Sequence, residues 1–126
     1  MKMKADVKKR WVEALRSGRY RQAPGKLTDG KGHCCLGVLC DLARREGVIK
    51  WQVGQFNDWR AIAPGDEYGE ASVLPPAVQK WAGLDDNNPI IAMTPTDFPA
   101  GITAANANDG LGWNFEKIAD AIEENL

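Results

Sequence analysis

Apolar residues recur every fourth position at the start of the chain: Met3, Val7, Trp11 and Leu15. That spacing predicts a helix with one oily stripe, its other faces carrying Lys8, Lys9, Arg10 and Arg16, and Gly18 is placed to stop it. The pattern changes between His33 and Leu42, where His-Cys-Cys-Leu-Gly-Val-Leu-Cys-Asp-Leu is apolar on nearly every helical face. A helix that is oily all round is buried, so this run is expected to be the central helix. Gly37 weakens it intrinsically but lets another backbone approach closely.

Between these helices, Arg19 to Leu27 and the turn pair Asp29-Gly30 read as one or two short strands or an ordered loop. After Gly47, the stretches Val48–Val53 and Phe56–Ile62 alternate loosely, which predicts short antiparallel strands. Leu74 to Leu84 reads as a short helix, with prolines for its first turn, Gly83 for a left-handed stop and Leu84 for the contact that follows. Residues 85–101 read as a long loop holding a short strand around Ile90–Met93. Asn114 caps a last helix whose buried stripe is Phe115, Ile118, Ala119 and Ile122. The expected fold is thus α+β: a central buried helix, a small antiparallel sheet and three further helices, in a single ligand-binding domain over residues 1–126.

Charge changes the picture. Residues 1–50 hold 13 basic and 5 acidic residues, and residues 51–126 hold 3 and 12, although the chain as a whole is at −1. Such a split fits an anion-binding first half, two halves that attract one another within a chain or between subunits, or simply solvated helix faces. The near-zero total and an isoelectric point of 5.8 count against a nucleic-acid-binding protein, the main alternative class. No apolar run approaches the ~18 residues of a membrane span and no secretory leader is evident, so a soluble cytoplasmic protein is expected.

Three cysteines in an apolar setting are expected to be small buried hydrophobes. The lone histidine, His33, adjoins Cys34, and side chains of neighbouring residues diverge, so the pair is poorly placed for nucleophilic catalysis. The cysteine spacing does not suit zinc, and Gly30-Lys31-Gly32 lacks the frame of a phosphate loop. No catalytic residue, metal or cofactor is therefore expected, and a nucleotide hydrolase is the weaker alternative.

The aromatics point instead to ligand stacking. Of five tryptophans, Trp11 and Trp81 sit on apolar stripes, whereas Trp51, Phe56 and Trp59 lie among Asn57, Asp58 and Arg60 as a stacking platform. Phe98 and Trp113 are loop aromatics beside polar groups, placed either to stack a base or to cover the core as a lid. The run Asn106-Ala107-Asn108-Asp109-Gly110 can shape a turn before the last helix, or hold ribose hydroxyls and an amine edge. Arg19, Arg21 and Lys26 can meet phosphate.

Trp11–Gly18 leading to Cys34–Asp41, Leu74-Pro75-Pro76 with Trp81–Leu84, and Asn108-Asp109 followed by Phe115–Asp120 together resemble the phage-encoded Thoeris anti-defence protein 1 family. The resemblance implies a non-enzymatic binder that sequesters cyclic ADP-ribose-type signals made by host TIR-domain enzymes, in the host cytoplasm during infection. It implies a homo-oligomer, dimer or hexamer, with ligand at subunit interfaces and, in some members, cyclic oligonucleotides at a second site. By the same likeness Asn108 and Asp109 fall on the family's Asn-Asp ligand motif, and Phe98 is its stacking aromatic.

Overall fold

Cys34 stops being part of the loop and becomes a cap: in extended conformation, its sulfur accepts a hydrogen bond from the Gly37 amide at 3.4 Å. From there α2 (Cys35–Arg45) runs through the centre, every residue from Cys35 to Ala43 buried. The computed structural model describes residues 3–93 and 101–126. Leu27 passes so close to α2 that an added Cβ on Gly37 would overlap the Leu27 carbonyl, and that carbonyl accepts from the Cys34 amide at 3.2 Å. Gly37 is thus the backbone contact point its position implied.

Helix α1 (Ala5–Arg16) presents Val7, Trp11, Val12 and Leu15 to this core, and the buried Trp11 indole donates to the Cys35 carbonyl at 2.9 Å. Helix α4 (Phe115–Asn125) is capped by the Asn114 side chain, which accepts from the Lys117 amide, and buries Phe115, Ile118, Ala119 and Ile122. Arg16 on α1 reaches Glu116, Asp120 and Glu123 on α4 at 3.5, 2.5 and 3.3 Å. Part of the charge split is therefore closed within the chain. These pairs are exposed, and such pairs contribute little each.

Strands β1 (Lys50–Val53) and β2 (Trp59–Ile62) form an antiparallel hairpin in which Trp51 faces Ala61 and Val53 faces Trp59. Helix α3 (Pro76–Ala82) ends at Gly83 in the left-handed conformation, φ 74°, with Leu84 buried after it. Strand β3 (Ile90–Ala92) pairs antiparallel with a strand the sequence pattern does not announce, β4 (Ile102–Thr103). Among the described residues the result is one small α+β domain with two two-stranded sheets, β3 packing on α4. The segment 19–27 is an ordered loop tied to His33 by one isolated bridge at Gln22 rather than by a strand pair. Among the described residues, no helix is long and apolar enough to cross a membrane.

Candidate functional site

The turn that precedes α2 is fixed by its own side chains. Thr28 Oγ1 accepts from the Gly30 amide and donates to the Gly32 carbonyl, while Asp29 Oδ1 accepts from the Lys31 and Gly32 amides. The His33 amide donates to the Arg21 carbonyl, and the His33 carbonyl accepts from the Ala23 amide. A pinned backbone thus holds the half-buried His33 imidazole just before the start of α2. Its ring stands edge-on to Tyr20, with centroids 5.2 Å apart, and 5.9 Å from the ring of Trp51.

Beneath this ring lies Asp41, a carboxylate in an otherwise oily helix. A buried charge must be paired and hydrogen-bonded, and three donors from three elements converge on it: Tyr20 Oη at 2.6 Å, Arg44 Nε at 2.7 Å and the Trp51 indole at 3.0 Å. Burial alone would raise its pKa, but the hydrogen bonds from Arg44, Tyr20 and Trp51 outweigh that and hold it at about 2. Burial and the bond to Asp41 push the Tyr20 phenol up to about 12. Burial lowers the pKa of His33, against the pull of Asp41.

Folding should accordingly weaken in acid in two steps. The depressed His33 pKa means the unfolded chain takes up a proton first, so stability declines as pH falls below 6.5. The contribution of Asp41 is complete above its unfolded value of 3.8 and is lost as pH falls through about 2. We expect urea midpoints to drop between pH 7 and 5, and again below pH 4. In Asp41→Asn the second drop should shrink to the part that Asp29 contributes, at a cost of about 2 kcal/mol at pH 7.

The β1–β2 register places Trp51 and Trp59 on one face of the hairpin, diagonally across the strands. That face, the 28–33 turn and the second half of α2 enclose an open cleft of about 340 Å³, lined by both indoles, His33, Asp41, Arg44 and the edge of the turn at Thr28 and Gly30. Flat walls, a guanidinium and an imidazole at its rim can hold a flat anionic ligand.

Of the residues expected from sequence to bind ligand, Trp59 lies in this cleft. Arg60, on the next position, is exposed and engaged with Asp58 at 3.0 Å and the Gly69 carbonyl at 3.3 Å. Arg19 lines a separate groove of about 260 Å³ with Arg10 and Arg45. Arg21 and Lys26 are exposed. Phe98 lies outside the described residues.

Asn106, Asn108, Asp109 and Trp113 gather at a third place. Residues Asn106–Gly110 form a single π turn, the Leu111 amide donating to the Asn106 carbonyl. Asn108, 5 % exposed, is used up internally: Oδ1 accepts from Gln22 Nε2 and the Cys35 amide, and Nδ2 donates to the Ala23 carbonyl and Asp109 Oδ1. Asp109 Oδ1 also accepts from the Gly25 amide. The Asn106 side chain lies against Gly110, and Lys117 stands 4.4 Å over the half-buried Trp113 ring. The Asn-Asp pair therefore latches the 22–25 loop to the start of α2, and the nine described residues among the expected ligand set do not share one cavity.

Sequence reading named Trp51 as a platform but passed over His33, Asp41 and Arg44 as a group. The signal available was the lone carboxylate inside an apolar helix, which must find donors. The three cysteines are buried in the core, and burial raises all three thiols.

A family model described as a domain of unknown function, DUF8296, matches residues 3–126. No curated protein and no solved structure matches.

Proposed function

The chain belongs to this family of unknown function, and from the geometry of its own cleft we propose that it is a non-catalytic binder that takes up and withholds a signalling nucleotide of the cyclic ADP-ribose type. The observation that carries the reading is the pair of indoles, Trp51 and Trp59, on one hairpin face above Arg44 and His33. A purine stacks on an indole, the Arg44 guanidinium, which bonds Asp41 through Nε and Nη2, keeps Nη1 for a phosphate oxygen, and an imidazole edge suits ribose hydroxyls. The likeness of the three sequence runs to the Thoeris anti-defence family points to the same ligand class and to action in the cytoplasm of an infected host.

Binding is favoured over turnover by what the polar groups in the cleft already do. The Thr28 hydroxyl is engaged on both sides, and Asp41 is saturated by donors. The thiols lie in the core rather than at the cleft. An open cleft holds a ligand weakly by itself, so self-association that covers its mouth with a second copy fits this role.

Calorimetry with cyclic ADP-ribose tests the assignment. Trp59→Ala should lose about 1–3 kcal/mol of affinity. Arg44→Gln should lose a similar amount, and its remaining affinity should depend less on salt. Parent-like affinity in both folded variants would refute the cleft as the site.

A second reading rests on the groove of Arg10, Arg19 and Arg45, which could follow a nucleic-acid backbone. Glu13 in the same groove and the overall isoelectric point of 5.8 weaken it. Salt-sensitive retention on a DNA column would favour it.

A further inference from the structure

The tip of the β1–β2 hairpin holds two consecutive non-glycine residues in the left-handed region, Phe56 at φ 58° and Asn57 at φ 59°. Asparagine tolerates this conformation better than most side chains, and phenylalanine tolerates it poorly. Phe56 gains no burial in return, being 96 % exposed. Strain that packing does not offset persists where the surrounding contacts over-determine it.

Those contacts come from Asn57. Its Nδ2 donates to the Asp29 carbonyl at 2.9 Å, and its Oδ1 accepts from the Trp59 indole N–H at 2.8 Å. The same indole rests on Gly30, where an added Cβ would stand 2.9 Å from Nε1 and 3.1 Å from Cε2 and Cζ2. Gly30 is itself held by Thr28, and its φ of 91° suits glycine. The pyrrole end of the indole is therefore held by contact with the Gly30 backbone and by a carboxamide that also ties the hairpin to the turn.

We propose that Asn57 is a positioning residue for ligand binding: the left-handed hairpin tip carries its carboxamide to Trp59 and Asp29, fixing the indole as the outer wall of the cleft. This rests on the reading of the cleft as the nucleotide site. It extends that reading to a residue that does not line the cleft and to the backbone conformation that delivers it. A wall fixed before the ligand arrives loses little freedom on binding, which is how pre-organisation gains affinity.

The test uses the full chain labelled with 5-fluorotryptophan, the Trp59 signal being assigned from Trp59→Phe. Asn57→Gly keeps the left-handed backbone without strain and removes both hydrogen bonds, so the protein should stay folded with a melting temperature within about 5 °C of the parent. Its Trp59 fluorine signal should shift and broaden, and affinity for cyclic ADP-ribose should fall about tenfold. Gly30→Ala, whose methyl would press on the indole at Nε1, should move the same signal. An unmoved Trp59 signal in Asn57→Gly overturns the proposal. So does a moved signal with parent-like affinity, when Trp59→Ala has lost binding. If Trp59→Ala itself binds like the parent, the cleft is not the site and the proposed role in binding falls with it, while the fluorine signal separately reports whether Asn57 holds the indole.

Discussion

Gly37→Ala is expected to destabilise the protein by at least about 3 kcal/mol, a large share of the roughly 5–15 kcal/mol that holds a domain of this size together. Two effects oppose each other at this position. Alanine favours a helix over glycine by about 1 kcal/mol. Against that, the new methyl would occupy the space of the Leu27 carbonyl, and neither partner is a flexible side-chain end. Either α2 or the 27–34 segment must move, and that segment carries both the Cys34 cap and the turn under the cleft. The backbone overlap wins. A urea denaturation midpoint well below the parent's is the expected result, and equal or greater stability would mean that Leu27 does not pack on α2 as described.

The second large effect is expected from Asn108→Ala, at about 2–4 kcal/mol of stability. The substitution removes the acceptor of a buried amide, Cys35 N, and of Gln22, and it leaves the Ala23 carbonyl without its donor. Unpaired buried groups cost more than the bonds themselves return. The folded variant should still bind cyclic ADP-ribose like the parent, because this side chain faces the 22–25 loop and α2 rather than the cleft. A variant with an unchanged melting temperature and lost binding would instead make Asn108 a ligand residue, as the family resemblance implies.

Helices were readable wherever the information is local. The fourfold spacing from Met3 to Leu15, the Asn114 cap and the Pro–Gly bracket around α3 each decide an element within a few residues, and the structure agrees at all three. Gly37 in an oily run announced a close backbone approach but not that Leu27 would make it, because that partner is ten residues back across a loop. Strand β4 has two residues and no period to read. The cleft was half legible. Trp51 and Trp59 stood out in a polar stretch, yet their common face depends on a register that one inserted residue would reverse. The partners of Asp41 lie at positions 20, 44 and 51, and spacing could reveal only the one on its own helix. The Asn108-Asp109 pair drew attention for its chemistry, and the same chemistry serves a latch when the neighbours are the chain's own amides.

The most direct measurement of the central claim uses the product of an activated TIR-domain enzyme. The purified protein is mixed with it, unbound material is filtered away, and the protein is heat-denatured to release what it held. The account predicts that the signalling nucleotide disappears from the filtrate and returns after denaturation in unchanged mass and amount. Signal remaining in the filtrate would contradict binding, and a new product in place of the nucleotide would show turnover instead of retention.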